Sequence, residues 1–464
     1  MKKNRLLCLF LFIMVILSGL RMPAAAQQDN LAVTQGCHSV DAALTLSSEE
    51  KLVETAKAVV LYELNSGTML YALNPDGKIY PTSMVKLMTA LVALEQGNLD
   101  DVVTVTRSVL NQVPIGVLGA DLKAGEEITL RDLLYANMVA SATDAAVIAA
   151  AYVGGSVDGF LQMMNDKAAE LGCTATNYSN VHGLHDENTY TTARDIARIT
   201  EAALKNEAFR DMFCAAEYTL AATNKHEART ITTTNHMMNP KNSKYYDKRV
   251  TGGKTGATDQ GGRCLTLTAE QEGMEILCVL MGATPTVAAN GSLSAYGSFE
   301  ESRILVDYAF QSFEYRQVFF SGQSLAQYPV SDGANDVVTQ AVDTISTVLP
   351  KEVEEAQLKW VYKPTESVMT APVAQGQKLG TVEAWYGNKC LAQADMVAMN
   401  AVEQKQSPIV PKKPASGTDD GSWLVLFLVL AGGALAVFLG LIGLRAFRIW
   451  KLQRRRKRRR SRRR

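Results

Sequence analysis

Apolar residues recur with two different rhythms along this chain. Ala56 to Leu64 and Thr68 to Leu73 are strand-like runs joined by Asn65-Ser66-Gly67, a turn whose glycine suits a positive φ, and together they predict an opening β-hairpin. The rhythm then changes. Met84 to Leu94 is apolar nearly all round, comes after Pro81-Thr82 and stops at Gly97, which predicts a buried helix over Ser83–Gln96. Helical patterns continue at Leu130–Val139, Ala145–Val153, Asp158–Leu171 and Thr192–Lys205. Strand-like runs return at Arg263–Glu270 and Glu275–Gly282, ahead of a helical stretch at Ser298–Phe310. Strands at both sequence ends with helices between them predict an α+β domain, residues 50–314, in which the first hairpin and the last strands share one antiparallel sheet.

Beyond this the pattern shortens. Gln317–Phe320, Leu358–Val361 and Lys378–Tyr386 are β-type runs broken by glycine and proline, which predicts a small all-β domain over 315–402. Glu403 to Ser422, with Pro408, Pro411 and Pro414, reads as an exposed linker. Trp423 to Leu444 is 22 residues without a charge. At ~1.5 Å per residue that length crosses a ~30 Å hydrocarbon layer, so a single transmembrane helix is expected at 423–444. At the other end, Lys2, Lys3 and Arg5 precede an apolar core, Leu6 to Leu17, and Ala24-Ala25-Ala26 offers small residues for cleavage, so residues 1–26 read as a secretory signal peptide.

The ends also alter the meaning of the charge. The chain carries 47 basic and 47 acidic residues, yet 13 of the basic ones lie in Arg445–Arg464 and four in the signal peptide. The remainder, Gln27 to Leu444, holds 30 basic against 47 acidic residues, a net of −17. By the positive-inside rule the 445–464 tail is expected in the cytoplasm and the acidic portion outside. Its place beside a membrane span favours anionic lipid headgroups as its partner, and no specific nucleic-acid binding is expected. Cysteines past the signal peptide lie at 37, 173, 214, 264, 278 and 390, without the short spacings of a metal site or redox pair. Neither a metal nor another cofactor is expected.

Chemistry concentrates at three places. Ser83-Met84-Val85-Lys86 puts a serine and the one charged residue of the apolar run Met84 to Leu94 on the same face, one turn apart. Burial disfavours the charged form of such a lysine, and a neutral amine beside a hydroxyl is a base beside its nucleophile. Ser48-Glu49-Glu50-Lys51 has the same spelling but, with Ser47, reads as a helix-capping box on a polar face. Ser83, on its apolar helix, is followed in order by Ser141-Ala142-Thr143-Asp144 and by Lys254-Thr255-Gly256-Ala257. Serine-x-x-lysine, a middle serine motif and KTG form the signature of penicillin-binding proteins and class A β-lactamases.

On those motifs, with His182-Gly183-Leu184, Tyr190 to Asp195 and Gly261 to Leu265, the chain from about Lys57 to Val402 resembles the low-molecular-weight penicillin-binding proteins, the D-alanyl-D-alanine carboxypeptidases of the S11 serine peptidase family. The resemblance implies a β-lactamase/DD-peptidase-like sheet with a helical lobe. It also implies removal of the terminal D-alanine from peptidoglycan pentapeptide stems through an acyl-enzyme, β-lactam antibiotics as inhibitors, and an extracytoplasmic catalytic domain on a bacterial membrane. Residue by residue it gives Ser83 as nucleophile, Lys86 as base, Ser141 as proton relay, Lys254 and Thr255 at the terminal carboxylate, and the backbone N–H groups of Ser83 and Ala257 at the oxyanion. Thr143 stands where the family has asparagine, so a weaker substrate contact is expected there. Two other readings use the same residues: a β-lactamase or esterase on this scaffold, for which no Glu-x-x-Leu-Asn motif appears between Ala145 and Lys254, and a catalytically silent wall-binding protein.

Overall fold

The computed structural model describes residues 51–287, 293–295, 297–406 and 422–460. The signal peptide, Ser48 and Cys37, and most of the linker lie outside the described residues.

The opening hairpin is β1 (Ala58–Glu63) and β2 (Thr68–Leu73), turned at Gly67 with φ +69°. It joins β3 (Val250–Thr258), β4 (Gly262–Gln271) and β5 (Met274–Ala283) in a five-stranded sheet of order β2-β1-β5-β4-β3, every neighbouring pair antiparallel. The two ends of the domain therefore meet in one sheet, as the pattern predicts. Its runs look continuous rather than alternating because both faces are covered. Ala58, Val60 and Tyr62 enter one apolar cluster while Val59 and Leu61 enter another; Leu277, Val279 and Met281 are separated from Ile276, Cys278 and Leu280 in the same way.

Helices α1 (Val85–Gln96), α2 (Leu130–Met138), α3 (Thr143–Val153), α4 (Val157–Glu170), α5 (Ala193–Leu204) and α6 (Glu207–Cys214) supply the first cluster. Helix α7 (Gly297–Ser312) supplies the second. Helix α1 runs through the middle of the lobe with every residue from Val85 to Ala93 buried, which is why its sequence is apolar all round. Burying each leucine or methionine there contributes roughly 1.5–3 kcal/mol. Helix α3 begins at Thr143, two residues before the expected start, so the middle serine motif runs into its first turn. Helix α6 lies outside the expected set; the Asn206 side chain starts it by accepting from the Phe209 N–H, and Phe209, Met212 and Phe213 bury one face.

Helix α7 leads directly into the strand Phe313–Phe319, which pairs with Ile345–Pro350. A second five-stranded sheet, in the order Ser324–Tyr328, Val337–Ala341, Lys389–Ala398, Lys378–Tyr386 and Leu358–Pro364, builds the β domain around its own two clusters. Phe313 and Val348 pack into the cluster under α7, so apolar packing is continuous across the expected division at 314 and 315. Residues from Lys405 onward form a separate unit. Its helix, Ser422–Arg460, contains a stretch, Leu426–Arg448, long and apolar enough to cross a membrane, and runs on past Leu444 into the basic residues.

Candidate active site

Ser83 sits in a single 3-10 turn, Thr82–Met84, that leads into α1. Thr82 holds φ +54°, a conformation rarely adopted by a β-branched residue. Two glycines let neighbouring chain close onto this turn. A Cβ on Gly183 would lie 1.8 Å from the Thr82 carbonyl oxygen, and one on Gly256 would lie 2.1 Å from Thr82 Oγ1 and 2.8 Å from the Ser83 nitrogen. The 182–184 loop and β3 thus clamp the serine's backbone from two directions. Ser83 opens onto a cleft of about 270 Å³ that Ser141, Thr255 and Ala257 also line.

Two lysines stand behind the cleft wall. Lys86, one turn along α1 and 1% exposed, donates from Nζ to the His182 carbonyl at 2.7 Å and to Thr143 Oγ1 at 3.5 Å. Burial pushes its pKa down from 10.5 to about 7, against an opposing pull from the Asp144 carboxylate. Lys254 on β3 is fully buried and donates to Ser141 Oγ at 2.8 Å and to the Thr255 carbonyl at 3.0 Å. Burial, and then repulsion from Lys86, drive its pKa well below the usual lysine range. The His182 ring is held neutral for the same two reasons, with its pKa lowered to about 4. Two ammonium groups packed into one dry wall repel each other, so a protonated pair is disfavoured at neutral pH.

Ser141 connects α2 to α3 with φ +57°, so Thr82, just before the first serine, and the second serine itself both hold strained backbone. Hydrogen bonds from the start of α3 hold this strain in place. Asp144, in the first turn of α3, accepts from the Ala120 N–H at 2.8 Å, from the Leu122 N–H at 3.2 Å and from the Ala145 N–H at 2.8 Å. The Thr143 N–H donates to the Leu118 carbonyl at 2.8 Å. These bonds fasten the loop that brings Leu118 to the cleft.

Sequence reasoning selects Ser83, Lys86, Ser141, Thr143, Lys254, Thr255 and Ala257, and the fold gathers all of them around this one cleft and its wall. Thr143 differs from the expected arrangement: it is 4% exposed, is not among the residues lining the cleft, and turns its hydroxyl toward Lys86. Lys86 makes no hydrogen bond to the Ser83 hydroxyl among the described residues; its protons go to His182 and Thr143. Sequence reasoning misses Thr234, whose hydroxyl lies 2.5 Å from that of Thr255, and the cleft-lining His236, Arg263 and Phe299. Arg263 and His182 are visible there only as neighbours of motifs. Among the described residues no group of His, Cys, Asp or Glu could hold a metal ion.

Comparison with known proteins agrees with this geometry. Residues 45–285 match the family described as D-alanyl-D-alanine carboxypeptidase, and residues 313–404 match the C-terminal domain of penicillin-binding protein 5. The D-alanyl-D-alanine carboxypeptidase DacA of Haemophilus influenzae is 31% identical over 357 residues, covering 75% of this chain and 85% of the relative. DacF of Bacillus subtilis is 29% identical, covering 75% and 86%. The crystal structure of penicillin-binding protein 5 from H. influenzae superposes with a TM-score of 0.60 at 29% identity, over 77% of this chain and all of that one. With two lysines and two serines gathered around one cleft, and both domains matched in order, the chain belongs to the D-alanyl-D-alanine carboxypeptidase family of penicillin-binding proteins.

Proposed function

We propose that this chain is a serine-type carboxypeptidase that removes the terminal D-alanine from peptidoglycan stem peptides through an acyl-enzyme. The observation that carries the reading is Lys86: a buried amine, poised near neutrality, one helical turn from a serine that faces the cleft. Such an amine accepts a proton at working pH, which an exposed lysine does not. Ser83 Oγ attacks the carbonyl carbon of the penultimate D-alanine as its proton passes to Lys86 Nζ. The oxyanion is received by the backbone N–H groups of Ser83 and Ala257. The C–N bond then breaks as Ser141, hydrogen-bonded to Lys254, gives its proton to the departing amine of D-alanine and is reprotonated by the proton that Lys86 took from Ser83. Water attacks the remaining ester and releases the shortened stem with Ser83 restored.

Thr255, braced by Thr234, lies at the carboxylate end. Thr143 steadies Lys86. The hydrogen bond between Lys86 and Ser83 forms as substrate binds, since such bonds are often long in the free enzyme. A β-lactam offers the same carbonyl in a ring, and its acyl group stays on Ser83. The apolar helix anchors the enzyme, with the catalytic domain outside the cytoplasm and the basic tail inside.

Fluorescent penicillin should label the wild-type protein at the peptide containing Ser83 and leave Ser83→Ala unlabelled, and the wild type alone should release D-alanine from a pentapeptide ending in D-Ala-D-Ala. An adduct on Ser141 that persists in Ser83→Ala would defeat the assignment.

A further inference from the structure

We infer that a second, cationic pocket beside the catalytic turn takes an acidic group of the stem peptide upstream of the scissile bond, an inference that rests on the peptidase reading proposed above. This pocket, of about 340 Å³, is larger than the cleft. Lys57 and Lys78 bring two ammonium groups to its lining, Asn74 and Gln260 bring two side-chain amides, and no carboxylate lines it. Such an excess of cations runs against the rest of the exported portion, which carries a net charge of −17. Asp76, two residues from Lys78, is committed elsewhere: Arg194 donates to it from Nε at 2.6 Å and from Nη2 at 3.0 Å. Lys78 Nζ stands over the Tyr190 ring, 3.6 Å from its centroid, a contact that steadies the ammonium without neutralising it. Neither lysine makes an ion pair among the described residues.

The frame of the pocket is fixed and runs straight into the nucleophile's turn. Ile79 and Thr191 exchange backbone hydrogen bonds of 2.9 Å in each direction, and the Arg194 N–H donates to the Pro75 carbonyl at 3.0 Å. Tyr80, another lining residue, precedes Ser83 by three positions. From the other side Gly261 lets the turn between β3 and β4 press against the same segment: a Cβ there would lie 2.4 Å from Thr82 Cγ2 and 3.1 Å from the Tyr80 carbonyl oxygen. The path of the substrate follows from the two ends assigned above. Its C-terminus lies at Thr255 and its scissile carbonyl at Ala257, so the residues before the scissile bond continue along β3 toward Thr258 and Gln260. At ~3.3 Å per residue, Gln260 stands no more than about 10 Å beyond Ala257, the reach of about three residues of extended peptide. A carboxylate two residues before the penultimate D-alanine therefore arrives at the rim that Gln260 shares with Lys57 and Lys78. Two ammonium groups with flanking amides suit a carboxylate, which accepts through both oxygens.

The test compares two donors on full-length protein in non-ionic detergent: N-acetyl-γ-D-glutamyl-L-lysyl-D-alanyl-D-alanine with its glutamyl α-carboxylate free, and the same peptide with that carboxylate amidated. The wild type should favour the free acid in kcat/KM by ~3–10-fold, chiefly through KM, the scale of two solvent-facing ion pairs acting together. Raising the salt from ~0.05 to ~1 M should erode that preference, since screening weakens exposed pairs. The double variant Lys57→Gln/Lys78→Gln should abolish the preference and leave the amidated peptide within about twofold of the wild-type rate. Lys57→Arg/Lys78→Arg should keep the preference, because it keeps both charges. Equal turnover of the two peptides by the wild type, a preference that persists in the glutamine variant, or a glutamine variant impaired equally on both peptides overturns the role of the pocket and leaves the peptidase reading standing. A wild type that releases D-alanine from neither peptide overturns that reading, and this inference with it.

Discussion

Replacing Lys86 by methionine separates the chemistry of this lysine from its cost to the fold. Methionine fills nearly the same volume without a proton to hold. In the wild type the Lys86 pKa falls from 10.5 to about 7 on folding. At ~1.4 kcal/mol per pH unit that difference is on the order of 5 kcal/mol against the folded state wherever the unfolded lysine is protonated and the folded one is too. Methionine removes this cost but leaves the His182 carbonyl without its 2.7 Å partner, a loss of about 1–3 kcal/mol. Lys86→Met should therefore be more stable than the wild type by roughly 2 kcal/mol or more at pH 6.5.

The sign reverses with pH. Between about 7 and 10.5 the unfolded chain still holds a proton that the folded chain has released, so wild-type stability rises with pH through this window and the variant lacks that rise. Its advantage should shrink steadily and be gone by about pH 10. Acylation by penicillin should fall by ~10²–10⁴-fold above about pH 7, the usual worth of a general base, and the deficit should narrow below it, because the wild-type rate climbs to its plateau with a midpoint near 7. Trp360 and Trp385 lie in the β domain and the catalytic domain has no tryptophan, so urea unfolding is best monitored by tyrosine near-UV circular dichroism at pH 6.5, 8 and 9.5. If Lys86→Met were less stable than the wild type at pH 6.5, or differed from it by a constant amount across the series, Lys86 would be an ordinary structural lysine and the base assignment would fall with it.

Gly256→Ala should cut penicillin acylation by ~10²-fold, since its Cβ, 2.1 Å from Thr82 Oγ1 and 2.8 Å from the Ser83 nitrogen, must displace the nucleophile's turn; a rate within threefold of wild type would show that the turn yields freely. Thr143→Val should lower kcat by up to ~10-fold with KM unchanged, because the hydroxyl faces Lys86, whereas a raised KM with kcat intact would return Thr143 to the substrate side. Protease added to intact spheroplasts should digest the catalytic domain and spare a tag placed after Arg464; the reverse pattern would invert the topology.

How much of the site the sequence discloses depends on how far each signal reaches. Lys86 is legible because a charge amid residues buried from Val85 to Ala93 is a local contradiction, and Ser83 stands three residues earlier, in the 3-10 turn that leads into the helix. The sheet is legible for a similar reason, since runs as apolar as Val59 to Leu61 and Ile276 to Met281 must be covered on both faces. Thr234, His236 and Arg263 carry no such mark. Their place at the cleft depends on the register of β3 against β4 and on the approach of the 234–238 segment, and register is a pairing between distant stretches that neither stretch encodes alone. Thr143 is placed differently from the expectation for a related reason: α3 starts at residue 143 rather than 145 and the hydroxyl turns toward Lys86, and a shift of two residues in a helix start rotates a side chain by more than half a turn. Gly183 shows the same limit from the other side. The motif His182-Gly183-Leu184 can be noticed in the sequence, but its physical meaning lies in a contact about 100 residues away: the carbonyl of 182 holds Lys86, and residue 183 has no side chain because the Thr82 carbonyl oxygen occupies the space one would need. A motif shows which residues belong together; the backbone of the distant partner shows why each must be the residue it is.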